Sequence, residues 1–156
     1  MPKISKKGLA MPESPIRKLV PFAEIAKKKG NKVFHLNIGQ PDIKTPENAI
    51  DAIKNIDLDI IKYTSSAGIQ SLRDKLAEYY RKNEVYLNAS EIIVTTGASE
   101  AIMFSIASIA DDGDEIIIPE PFYANYNGFA QIADVVVRPV TSTIETGFAM
   151  PQIQDF

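Results

Sequence analysis

The amino-acid sequence predicts an α/β fold in which helices cover both faces of a parallel sheet, preceded by an irregular N-terminal arm. Three observations carry this. After Glu91 short aliphatic runs alternate with helical segments, the arrangement of βαβ units. The connections are long enough to hold crossover helices, which implies parallel pairing, right-handed crossovers and helices on both faces. Finally, residues 1–15 hold Pro2, Gly8, Pro12 and Pro15, too much punctuation for regular structure.

Such an arm must be tied down by some other surface. A short helix is predicted over residues 16–29, where Leu19, Val20, Phe22, Ala23 and Ala26 loosely form one face, and Gly30-Asn31 signals a left-handed cap. Val33, Phe34, His35 and Leu36 read as a strand. It runs into the string Asn37-Ile38-Gly39-Gln40-Pro41-Asp42, which neither helix nor ladder continues through because of Pro41. Thr45-Pro46 combines a capping hydroxyl with a proline preset for a first helical turn, so a helix is predicted over 46–55. Another follows over 69–83, with Ile69, Leu72, Leu76, Tyr79 and Tyr80 at the three- and four-residue spacing of a stripe lying on a core.

From there the predicted elements are strand 92–95, helix 98–110, strand 115–118, helix 124–133 and strand 135–137. The helix at 98–110 is apolar almost all round, through Ala101, Ile102, Met103, Phe104, Ile106, Ala107 and Ile109, as expected of a buried element. Three sheet strands would leave hydrophobic edges exposed, and residues 147–156 bring no helix or strand to close them. The chain is therefore expected to be incomplete.

The net charge of −3 conceals an asymmetry: residues 1–32 carry nine Lys/Arg against Glu13 and Glu24, a local balance of +7, leaving −10 for the rest. The basic stretch, with Lys27, Lys28 and Lys29 in a row, has no aromatic interleaving, and the acidic body repels phosphate backbones. No nucleic-acid partner is expected. With no cysteine, disulfides, thiolate zinc sites and a Cys nucleophile are all absent. No run approaches the apolar length of a membrane span or a secretory signal, so no membrane partner is expected and the chain reads as cytoplasmic. His35 is the single histidine and has no second His or Cys to share a metal. Asp111, Asp112 and Asp114 around Gly113 lack the spacing of a calcium loop and read as a helix end followed by a turn.

Chemistry is concentrated in two places. In Val94-Thr95-Thr96-Gly97-Ala98-Ser99-Glu100 a strand ends, a glycine turns the chain and a helix begins with small residues. Such a start presents backbone N–H groups and the positive end of a dipole, which together bind phosphate, and Ser99 adds a hydroxyl donor. An ordinary βα turn carrying a serine is the alternative. Downstream, Pro119-Glu120-Pro121-Phe122-Tyr123-Ala124-Asn125-Tyr126 again follows a buried strand. Ligands of open α/β sheets bind outside the carboxyl ends of the strands, so Ser99 and Tyr123 are expected to converge on one crevice. An aromatic there stacks on a planar ligand; the role of a core aromatic suits Phe122 and Phe129 better than Tyr123.

Two further strings are Asn37 to Asp42 with Thr45-Pro46, and Lys62-Tyr63 followed by Gly68 and Leu72-Arg73. In this order, with the two sites above, the chain resembles the class I/II aminotransferases, enzymes of pyridoxal-5′-phosphate (PLP) fold type I, in the aspartate-aminotransferase-like branch. The resemblance spans about Met11 to Arg138. It implies a three-layer α/β/α PLP-dependent transferase large domain, incomplete, with an N-terminal arm. Residues 1–44 would form the arm and a small-domain segment, and 45–156 the first part of the PLP-binding large domain. It further implies PLP as cofactor, amino acid and 2-oxo acid as substrates, and a homodimer with shared active sites.

Residue by residue, Gly39 is similar to the family's glycine beside the substrate α-carboxylate. Tyr63 is similar to the tyrosine that crosses the dimer interface to the partner's cofactor phosphate. Gly97, Ala98 and Ser99 resemble the phosphate cup, and Tyr123 the aromatic stacked on the pyridine ring. The later asparagine, the aspartate at the ring nitrogen, the Schiff-base lysine and the carboxylate-binding arginine have no counterparts in this sequence. None of the thirteen lysines sits in a matching motif, and Arg138 is no match for the clamp. The parent is thus expected to be an aminotransferase and the 156 residues alone to be inactive. Rival readings are another fold type I PLP enzyme, such as a lyase or C–S lyase, and a non-catalytic module binding a phosphorylated ligand.

Overall fold

A computed structural model describes residues 2–156. In chain order its helices are α1 (Lys6–Ala10), α2 (Val20–Lys28), α3 (Glu47–Lys54), α4 (Gln70–Lys82), α5 (Ala98–Ile109) and α6 (Tyr126–Ile132). Its strands are β1 (Glu115–Pro119) and β2 (Val136–Val140). The chain falls into two compact units. One takes the chain up to His35 together with Thr96–Phe156, and the other is Leu36–Thr95.

In the first unit, the arm is less irregular than its composition implies. Helix α1 forms because the Ser5 hydroxyl caps it, accepting the Gly8 N–H at 3.0 Å. Lys7 ties the arm down: its ammonium donates to the Ile132 carbonyl at 3.0 Å and pairs with Asp134. A 3₁₀ turn at Arg17–Leu19 leads into α2. The predicted cap is present there: the Gly30 N–H bonds Lys27 O at 2.9 Å and the Asn31 N–H bonds Ala26 O at 3.1 Å, with Gly30 at φ +85°. These are the two bonds of a Schellman motif.

The remainder of that unit runs α5, β1, α6, β2. The two strands pair in parallel, Glu115 opposite Val136 and Pro119 opposite Val140, joined through α6 as expected. Arg138 reaches across to Glu115, and its hydrogen bond holds the Glu115 carboxyl below the usual carboxylate range. Asp111–Asp114 is a turn, with Gly113 at φ +89° donating to Asp134 O at 2.7 Å. Ile106, Phe129, Ala130 and Val135 form the core, with Ile102, Met103, Ile116 and Val137 packed around them.

Two expectations fail here. Helix α5 is not buried all round: Ile106 is buried, whereas Phe104 and Ile109 are exposed, because α6 and the two-stranded sheet cover one face only. The strand expected at 33–36 makes no ladder, and His35 is exposed. A strand exists by pairing, and no other strand lies beside this segment among the described residues.

The second unit holds α3 and α4. Helix α3 starts one residue late: Pro46 is its cap, its carbonyl accepting from Ala49 and Ile50, and the Thr45 hydroxyl makes no cap. The stripe on α4 lies on little: Ala77 is buried, while Ile69, Leu72, Tyr79 and Tyr80 are exposed. Arg73 anchors this helix by donating to Ala89 O at 3.0 Å. The third expected sheet strand, 92–95, forms no ladder. Its Val94 N–H bonds Ala67 O at 3.0 Å instead, drawing it against the turn that precedes α4. Among the described residues no helix is long and apolar enough to cross a membrane.

Candidate functional site

The turn at residues 96–100 is built around one glycine. Gly97 caps α5 at φ +80° and ψ 171°, a region essentially closed to residues with a side chain. A Cβ placed there would meet no heavy atom within 4 Å, so the space beside the turn is open. Ala98 and Ser99 follow as the first two helical residues, both exposed. The first N–H groups of a helix have no partners within it, and a helix of this length puts a partial positive charge at that end.

Glu100 completes the turn. Its carboxylate accepts the Thr96 N–H at 2.6 Å, reaching back from the third helical position. Sequence reasoning assigns it nothing. A carboxylate at the third helical position can reach back to the chain ahead of the helix, but this bond falls on Thr96, one residue before the cap Gly97, and so completes no capping-box motif.

Tyr123 stands four residues beyond the end of β1. The approach to it is fixed at the sheet: Glu120 donates its N–H to Val140 O at 2.8 Å, and its carboxylate accepts the Thr141 hydroxyl at 3.1 Å. The Glu120–Pro121 peptide is cis. Tyr126 is the hub of the aromatic side chains, meeting Tyr123 edge-on at 6.1 Å, Phe122 at 6.3 Å and the buried Phe129 at 6.3 Å. Phe129 is core and Phe122 half-buried, whereas Tyr123 stays 49% exposed, which matches the distinction among these rings expected from the sequence. Tyr126 has no role in the sequence reading; its three-residue spacing from both Tyr123 and Phe129 is the legible clue.

Gly39 and Tyr63 belong to the other unit. Gly39 is exposed, and a Cβ on it would meet nothing within 4 Å. Tyr63 has a relative exposure of 106%, so its ring is not covered by any of the described residues, as the polar, small-residue stretch from Thr64 to Gly68 suggests. Gly97, Ala98 and Ser99 thus share one turn, with Tyr123 on a separate segment of the same unit.

The chain belongs to the class I and II aminotransferases, whose family profile matches residues 31–152. Members of this family are PLP-dependent. Its fold is that of the aspartate-aminotransferase-like, three-layer α/β/α PLP-dependent transferases, of which it forms a part. It is similar to the (5-formylfuran-3-yl)methyl phosphate transaminase of Methanocaldococcus jannaschii, 37% identical over 128 residues, covering 81% of this chain and 35% of that protein. The aspartate aminotransferase of Pyrococcus horikoshii is 35% identical over 139 residues, covering 88% of this chain and 34% of its own length. Among solved structures, the aspartate aminotransferase of Thermotoga maritima superposes with a TM-score of 0.85 at 27% identity, over 97% of this chain and 41% of that one. The alanine aminotransferase of Pyrococcus furiosus gives 0.84 at 32% identity, over 98% and 40%. The chain spans about a third of the length of the curated relatives it matches, 35% and 34% of the two named.

The residues present fit PLP. Open space beside a glycine-only turn, helix N–H groups and a serine hydroxyl suit a phosphate monoester, and a half-exposed tyrosine ring suits a planar pyridine.

Proposed function

We propose that the complete protein is a PLP-dependent transaminase that moves an amino group between an L-amino acid, with aspartate the first donor to test, and a 2-oxo acid. The observation that carries this is the Gly97 turn: a backbone open only to glycine, facing free space at the start of α5, in a chain of this family. When bound, PLP supplies an electron sink for the carbon that loses its proton.

This chain's residues bind and orient. The first N–H groups of α5 and the Ser99 hydroxyl hold the phosphate dianion, whose charge the helix dipole favours. Gly97 keeps the approach clear, and Glu100 holds the turn closed through Thr96. Tyr123 presents its ring to the pyridine face and so limits tilting of the cofactor. Gly39 lies at the substrate carboxylate, where a bare backbone permits close approach. Tyr63, fully exposed among the described residues, extends to the phosphate in the partner subunit of a homodimer. None of these side chains transfers a proton. Residues 1–156 alone therefore orient the cofactor without turnover, in a protein placed in cytoplasmic amino-acid metabolism.

The test is a half-reaction. The complete protein, loaded with PLP and mixed with L-aspartate, L-alanine and L-asparagine in turn, is expected to convert at least one to its 2-oxo acid stoichiometrically, with the cofactor recovered in its aminated form. A subsequent 2-oxo acid should restore the starting absorbance. Release of ammonia with the cofactor left unaminated would replace transamination by elimination chemistry.

A further inference from the structure

We propose that Asn125 is a positioning residue for the ring-stacking tyrosine, an inference that rests on the role given to Tyr123 above. Asn125 occupies the cap position at the start of α6, where asparagine is among the favoured residues because its side-chain oxygen usually accepts a helix N–H. In this helix it makes no such bond. Its backbone carbonyl serves the helix, accepting the Phe129 N–H at 3.0 Å, while its side-chain amide Nδ2 donates to the Tyr123 hydroxyl at 2.6 Å. A half-buried side chain has thus been taken from its local task and committed to a more exposed ring two residues away.

The consequence is a ring fixed at both ends. Near its base, Tyr123 is held by the turn bond from the Tyr126 N–H to Tyr123 O, 3.0 Å, and by edge contact with the Tyr126 ring at 82° between planes. At its tip it is held by Asn125 alone among the hydrogen bonds of the described residues. With the hydroxyl oxygen accepting from the amide, its own proton is directed away from Asn125 and remains a donor. A half-exposed tyrosine on a loop otherwise samples several rotamers; restricting it before the cofactor arrives removes an ordering cost from binding.

The test is a cycle in the complete protein, using PLP as the probe and two readouts, its dissociation constant and the induced circular dichroism of the bound cofactor. Tyr123→Phe and Asn125→Ala should each weaken PLP by about three- to tenfold, the scale of one hydrogen bond. The double variant should bind no more weakly than Tyr123→Phe alone, because without the hydroxyl Asn125 has nothing to hold. Asn125→Ser retains a helix-starting side chain and should reproduce the loss seen with alanine, so the test survives if the alanine variant folds poorly. An unchanged constant in both Asn125 variants, or an equal fold-loss from Asn125→Ala in the Tyr123→Phe background, overturns the inference and leaves the Tyr123 role standing. Wild-type affinity and dichroism in Tyr123→Ala would remove Tyr123 from the site, and Asn125 with it.

Discussion

Gly68→Ala in the complete protein is expected to cost about 2–5 kcal/mol of stability, from two independent sources. Gly68 sits at φ +99°, in the left-handed region that residues with side chains rarely adopt. A Cβ there would also stand 2.7 Å from the Val94 Cβ and 2.8 Å from Val94 Cγ2. A χ1 rotation moves Cγ2 but not Cβ, which is fixed to a backbone held by the Val94 N–H bond to Ala67 O at 3.0 Å. Val94→Ala should therefore rescue little, since the clashing Cβ remains. Gly39→Ala is the control, with open space at its Cβ and no left-handed φ, and should stay within about 0.5 kcal/mol of the parent. Denaturant midpoints at unchanged slope make the measurement. A parent-like midpoint for Gly68→Ala would show that the turn before α4 is not held against Val94.

The second large effect is expected in mixed dimers. Ser99→Ala should weaken PLP by about 1–3 kcal/mol, the range for a hydrogen bond to a charged group. Tyr63→Phe should leave folding intact, because the ring is fully exposed among the described residues, yet loosen the same phosphate. Pairing one subunit carrying Tyr63→Phe with one carrying Ser99→Ala separates the two geometries. If Tyr63 serves the partner subunit's cofactor, one site carries both defects and the other neither. If it serves its own, each site carries one. Titration of the purified mixed dimer with PLP should find one site of parent affinity and one much weaker. Two sites of intermediate affinity would place Tyr63 in its own subunit's site.

Where the sequence is legible, local chemistry decides the structure. Gly30-Asn31 ends α2 with both bonds of its cap because glycine accepts the left-handed turn. The parallel pairing of β1 with β2 follows from the length of the segment between them. Gly97 can be singled out because only a glycine turns a chain that sharply into a helix. The misreadings concern partners. Residues 33–36 and 92–95 have strand-like sequences, but a ladder needs a second strand, and Val94 gives its N–H to Ala67 instead. The apolar circumference of α5 reads as burial, yet Phe104 and Ile109 are exposed because only one face is covered. Ser5 is easily overlooked as a cap amid the prolines of the arm, so α1 is not expected from the sequence. Glu100 and Asn125 escape notice at the site for a related reason: their roles depend on where a side chain reaches, across two to four residues, and not on a motif.

In the proposed cofactor site, the turn at Gly97, Ala98 and Ser99 holds the phosphate of PLP while Tyr123 covers its ring. This arrangement is tested most directly by an experimental structure of the complete protein with PLP bound. Phosphate oxygens are expected within about 2.7–3.2 Å of Ser99 Oγ and of the first N–H groups of α5, with the pyridine face against Tyr123. A cofactor bound with its phosphate away from residues 97–99, and Tyr123 off the ring, would contradict it.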